Sequence, residues 1–174
     1  MNTIECIRAR VSVRKFKTDP VPDDVINEVL EAAIQAPSAG NTQEWHFVVV
    51  TKPEFRKQVA EAAFGQDFVA EAPVVIIVCA DLDKIGTAYG ERGESIYALQ
   101  DTAAAIENLM LAACEKELGT CWVGAFNEAR LKGALVLPTN VKPVAIIPMG
   151  YPAQTPKKPK RIPVEDILHK ERWE

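Results

Sequence analysis

Arg10, Ser12 and Arg14 stand at alternate positions in the stretch RARVSVRKF near the start of the chain. On extended backbone, side chains at alternate positions share a face, roughly 6–7 Å apart. Two guanidinium forks and a hydroxyl at that spacing can converge on one phosphate, whose oxygens accept what these groups donate. Val11 and Val13 fall on the opposite face. A solvated edge strand with surface arginines has the same alternation, so the stretch by itself leaves both readings open. The whole chain carries a net charge of −4, so this cationic cluster is local, and the acidic balance argues against a general nucleic-acid binder.

Other chemistry is absent from the sequence. There is no GxxxxGK[ST] and no GxGxxG after a strand, which argues against a P-loop and a Rossmann dinucleotide site. There is no GxSxG, and no Cys/His or carboxylate pair stands out. Cys6, Cys79, Cys114 and Cys121 form no CxxC, and His46 and His169 lie far apart, so no metal site is expected. An anion clamp in an enzyme-sized chain without an acid–base constellation is what a cofactor-driven enzyme would show.

Three further stretches could touch a ligand. In PSAGNTQEW, residues 37–45, the small Ser38, Ala39 and Gly40 allow close backbone approach to a flat ring. Asn41 and Gln43 can hydrogen-bond ring carbonyls or amide-like edges. In WVGAF, residues 122–126, Gly124 and Ala125 leave backbone N–H groups accessible beside Trp122. PKRIP, residues 159–163, adds cations near the far end. Each stretch also has a plain reading: a Pro-Ser-Gly-Asn turn, a core strand with a bulge glycine, and a solubilising tail.

The elements that must position these residues follow from periodicity. A short helix over residues 3–9 has Thr3 as its N-cap. The spacing of Val25, Ile26, Val29, Leu30, Ala33 and Ile34 predicts a helix ending before Pro37, with Asp23 and Asp24 at its positive end. WHFVVVT, residues 45–51, reads as a buried strand, and a helix runs from Pro53 to about Phe64. PVVIIVCA, residues 73–80, is a central strand. Residues 82–93, with Gly86, Gly90 and Gly93, read as loop. A long alanine-rich helix buried on most of its circumference follows, ended by Gly119. TCWVGAF is a strand running into a turn, 127–134 a short helix, and 141–151 the last core strand, made irregular or edge-bound by Pro143 and Pro148.

At 174 residues, 48% of them hydrophobic, the chain is expected to be one soluble, cytoplasmic domain without a signal peptide or membrane span. The main domain is expected over residues 1–151. Residues 152–174, with a basic knot and four prolines, cannot fold alone and are expected to lie as an extended arm on a second copy.

Taken in order, these stretches resemble the nitroreductase family of FMN-dependent oxidoreductases. Arg10, Ser12, Arg14 and Phe16 match its Arg-x-Ser-x-Arg-x-Phe pattern. Pro37, Ser38, Asn41, Gln43 and Trp45 match Pro-Ser-x-x-Asn-x-Gln-x-Trp. Leu118, Gly119 and Gly124 match the Leu-Gly…Gly pattern after the long helix, and Lys160, Arg161 and Pro163 the C-terminal one. The resemblance covers nearly the whole chain.

The resemblance implies an α+β fold, a mixed central sheet wrapped by helices, and an intertwined homodimer with FMN at the subunit interface. It implies that Arg10, Val11, Ser12, Arg14 and Arg161 bind the phosphate and ribityl end. It implies that Pro37, Ser38, Ala39 and Asn41 come from the other subunit to line the flavin, with Trp122, Val123, Gly124 and Ala125 along the isoalloxazine and Gln66 at its pyrimidine edge. The implied reaction is ping-pong: NADH or NADPH gives hydride to flavin N5, and a small-molecule acceptor such as a nitroaromatic or quinone takes the electrons. No catalytic side chain is implied. Another flavin reaction on the same fold, or a non-enzymatic FMN-binding module, stays open. Two departures stand out. Glu44 replaces the proline many relatives carry before the tryptophan, and the segment between Asp81 and Ser95 is short, so any lid comes from DLDKIGTAYGERGE, with Tyr89 and Arg92 as candidate contacts.

Overall fold

The structure is a computed structural model that describes residues 1–154 and 156–173; Thr155 and Glu174, within the expected arm, lie outside the described residues. Strand β2 (Val74–Asp81) organises it. Its run of β-branched residues is buried on both faces, because helices cover both sides of the sheet. Val74, Ile76 and Val78 face helices α2 (Asp23–Ala33) and α6 (Ala98–Glu115). Val75, Ile77 and Cys79 face α3 (Pro53–Ala62), α4 (Asp67–Glu71) and α7 (Glu128–Leu135). The result is a helix–sheet–helix sandwich of the α+β class.

Among the described residues the strand order is β1-β2-β4-β3, with β1 Trp45–Val50, β3 Gly119–Thr120 and β4 Val141–Gly150. All three ladders are antiparallel. Among the described residues parallel pairing is confined to the isolated bridge between Ser12 and Thr120, which ties the arginine segment to the sheet. β1 differs from the buried strand its residues suggest: it is an edge strand, with Trp45 and Val50 buried but His46 and Val49 exposed. β4 is irregular as expected. The register between β2 and β4 slips at Val78/Cys79, where Cys79 pairs with Pro143 and Val78 with Ala145.

Residues 82–93 are not loop. They form α5 (Leu82–Arg92), capped by Asp81, whose carboxylate accepts from Lys84 N–H at 3.1 Å. One π-helical turn, Gly93–Tyr97, then leads into α6. The glycines that suggest a loop serve packing and a kink. A Cβ on Gly93 would lie 2.7 Å from the Ile85 carbonyl, and one on Gly86 would collide with the Glu94 side chain. Gly90, at φ +56°, supplies the bend.

Three smaller expectations also change. Asn2, not Thr3, caps α1 (Thr3–Ala9), in a reciprocal capping box with Glu5 at 3.0 and 2.8 Å. Glu117, at φ +61°, turns the chain out of α6, and Gly119 serves a different purpose. A Cβ there would sit 2.7–2.9 Å from Val13, so glycine admits the arginine segment against β3. Of 120–126, only Thr120 lies in a strand, followed by a bridge from Val123 to Ile146. The tail starts on its own domain, with Ala153 N–H donating to the Lys15 carbonyl at 2.9 Å. Beyond it, Ile162, Val164, Ile167, Leu168 and Trp173 are exposed.

Candidate active site

Helix α1 ends at Arg10, whose N–H donates to the Cys6 carbonyl at 2.8 Å. The chain then turns extended. Val13 is buried, and its N–H donates to the Thr120 carbonyl at 2.9 Å. With Val13 inward, Arg10, Ser12 and Arg14 line a cavity of about 360 Å³ together with Val11, Pro156, Lys157, Lys158, Pro159 and Arg161. The two ends of the chain therefore build one cationic cradle. Among the described residues none that lines it is a carboxylate, and Glu107 on α6 lies 3.7 Å from Arg10 Nε. The Arg14 guanidinium lies over the Phe68 ring at 5.8 Å from its centroid, a position that fixes its fork.

Lys157 and Lys158 are absent from the sequence expectation. The signal was the KKPK run itself, which names no particular lysine. Lys158 also donates to the carbonyls of Ile7, at 3.2 Å, and Arg8, the last turn of α1, so the tail is docked where the clamp begins.

From Thr120 the chain continues through Cys121 to Trp122. Cys121 is buried beside Ser12 and Arg14; burial pushes its thiol up, and the two neighbours partly offset this. Trp122, Gly124 and Ala125 are exposed, whereas Val123 is held inward by its bridge to β4. Gln66 caps the start of α4 and donates to the Ala63 and Ala125 carbonyls at 2.9 and 3.3 Å. The sequence places Gln66 before the second strand; the fold places it beside Ala125. Gln66 and Phe68, both at the start of α4, thus connect the 122–125 segment to Arg14.

Pro37, Ser38, Ala39 and Asn41 do not line the cradle. They form a separate, tightly built loop. Gly40, Asn41 and Gln43 all have positive φ, at +55°, +58° and +49°. A left-handed Gln costs of order 1 kcal/mol or more and persists where surroundings over-determine it. They do so here. Ala39 N–H donates to Asp101 Oδ2 at 2.8 Å and Gln43 N–H to Ser38 Oγ at 3.0 Å. Gln43 Nε2 donates to Asn41 Oδ1 at 3.1 Å, and Lys84 Nζ of α5 to the Gln43 carbonyl at 3.0 Å. Tyr89 of α5 lies against Gly40, where a Cβ would collide with its hydroxyl. Tyr89 packs edge-on to Tyr97 at 5.2 Å, and Arg92 Nε donates to the Tyr97 hydroxyl at 3.0 Å. The short lid segment is therefore a helix seated on this loop.

A family model described as the nitroreductase family matches residues 7–151. A protein of Methanothermobacter thermautotrophicus, whose name gives NADH dehydrogenase/NAD(P)H nitroreductase as a candidate activity, is 35% identical over 179 residues, covering 99% of this chain and 88% of that one. An NADH dehydrogenase of Thermus thermophilus is 31% identical, with 91% of each chain covered. The NADPH:FMN oxidoreductase of Vibrio harveyi, solved with NAD+, superposes with a TM-score of 0.91 at 27% identity, over 100% of this chain and 79% of that one. The agreement of sequence and fold over nearly the full length places this chain in the nitroreductase family.

Proposed function

We propose that the chain binds FMN and uses it to carry electrons from NADH or NADPH to nitroaromatics, quinones or related small acceptors. As a nitroreductase-family member it is an NAD(P)H oxidoreductase; the cofactor, acceptors and site residues are the proposal. The observation that carries it is the cradle: five cations, Arg10, Arg14, Lys157, Lys158 and Arg161, around Ser12, with no carboxylate in the lining. A phosphate monoester is nearly dianionic at neutral pH and takes up what these donors offer. The residues present fit that end of FMN. The relative from Vibrio harveyi carries FMN in its printed name, in keeping with this reading.

When bound, the flavin supplies the hydride and electron chemistry. The chain's own residues bind and orient it. Arg10, Ser12, Arg14 and Arg161 hold the phosphate, and the exposed Trp122, Gly124 and Ala125 lie along the ring. Gln66 fixes the Ala125 carbonyl and so the direction of that backbone. The 37–41 loop does not line its own chain's cradle, which suits a ring contact given across a homodimer. The exposed apolar residues of the arm suit the same assembly. No side-chain acid or base is assigned, since the flavin itself carries the hydride chemistry.

The test is direct. Purified protein loaded with FMN is expected to be yellow, dimeric by light scattering, and to oxidise NADH or NADPH when a nitroarene or quinone is added. Folded protein that stays colourless in excess FMN would end the proposal. FMN binding without turnover by either nicotinamide would leave the binding-module alternative.

A further inference from the structure

Glu44 is fully buried, at 0% exposure, directly beneath the strained 40–43 turn. Its Oε2 accepts from the Thr42 hydroxyl at 2.7 Å, while its Oε1 has no donor. The Asp101 carboxyl of α6, 8% exposed, is a near neighbour whose charge raises the Glu44 carboxyl. Asp101 in turn accepts the Ala39 N–H at 2.8 Å. Two neighbouring buried carboxyls cannot both be ionised at low cost; a proton on the orphaned Oε1 of Glu44 removes the repulsion and gives that atom a bond to make.

We propose that Glu44 is a positioning residue: its neutral carboxyl donates to the Asp101 carboxylate, and this shared proton locks the 38–43 loop in the shape that meets the flavin ring. The chain of contacts runs Thr42 hydroxyl, Glu44, Asp101, Ala39 N–H, so both ends of the loop are pinned to one proton. Burial raises the Glu44 carboxyl above its ordinary range, and Asp101 raises it further, against the Thr42 hydrogen bond. The other charged groups that meet this segment do so at its backbone. Lys84 of α5 donates to the Gln43 carbonyl at 3.0 Å, and Asp81 at the end of β2 gives its N–H to the Glu44 carbonyl at 2.8 Å.

The link to the flavin rests on the FMN reading above; the carboxyl pair does not, and two measurements separate them. Infrared spectra of the wild-type protein without cofactor are expected to show the C=O stretch of a protonated carboxylic acid at pH values well above the ordinary carboxylate range. That band is expected to vanish in Glu44→Gln and in Asp101→Asn, where an amide replaces the shared proton. FMN affinity of the wild type is expected to fall with rising pH along the same midpoint as the band. Glu44→Gln, whose amide still donates to Asp101, is expected to bind FMN without that pH dependence, and Glu44→Ala to bind about tenfold more weakly throughout. No protonated carboxyl band in the wild type overturns the pair. A band unchanged in Glu44→Gln, or the same FMN pH profile in both proteins, overturns Glu44's role. A wild type that binds no FMN refutes the cofactor reading, and the infrared band still decides the pair.

Discussion

Neutralising Arg10 and Arg14 together, as glutamines, separates a phosphate clamp from a surface cluster. A hydrogen bond to a charged group contributes about 1.5–3 kcal/mol. The lower figure applies to each here. Arg10 is shared with Glu107 at 3.7 Å, Arg14 is exposed, and three other cations stay in the cradle. The pair is then worth about 3 kcal/mol, or about a hundredfold in FMN affinity. Quenching of flavin fluorescence reads the affinity, and riboflavin supplies the control because it has the same ring and no phosphate. The double variant is expected to bind FMN about a hundredfold more weakly and riboflavin as the wild type does. Added salt is expected to weaken wild-type FMN binding more than that of the variant, since screening acts on charges the variant lacks. Equal losses for FMN and riboflavin, or none for either, would refute the clamp.

The packing predictions are narrower. Gly119→Ala is expected to cost about 1–3 kcal/mol in denaturant unfolding, because its methyl would meet Val13 at 2.7–2.9 Å. Asn2→Ala removes the capping box and about 1 kcal/mol from α1, seen as faster amide exchange there, with a smaller loss of FMN affinity because Arg10 is that helix's C-cap. Cys79, its thiol pushed up to about 12 by burial, is expected to resist alkylation at neutral pH until the chain unfolds, whereas half-buried Cys114 reacts earlier. Glu44 carries a pH term of known sign. Its folded carboxyl titrates above the unfolded one, so stability is fully present below the ordinary carboxylate range and falls as pH rises towards the raised value. A melting-temperature series is expected to show that decline in the wild type and a flatter course in Glu44→Gln.

Elements whose register alone decides their burial were legible in the sequence. The apolar spacing of α2, the proline opening α3 and the unbroken β2 run each have one physical solution, and the fold adopts it. What escaped depends on distant partners. WHFVVV has the composition of a buried strand, but sheet order puts β1 at an edge. Gly86 and Gly93 look like loop until Glu94, Ile85 and Tyr89 are seen to need the space, and Gly90 supplies a bend. Arg10, Ser12 and Arg14 line one cavity, as alternation along a short extended segment suffices to suggest. Lys157 and Lys158 enter the cradle through a tail whose path no local pattern fixes, and the Glu44–Asp101 contact joins residues on different elements.

Helix α6 holds both halves of the site at a set distance. Asp101 anchors the 38–43 loop, and Glu107 meets Arg10 of the cradle. The two carboxylates stand six residues apart, or about 9 Å along the axis. In a homodimer where each loop serves the other chain's flavin, the cradle at Glu107 and the loop at Asp101 belong to different cofactors. The same rigid helix then spans both sites. Its alanines let neighbouring elements pack closely around it, as the buried Ala98, Ala105 and Ala113 do within this chain.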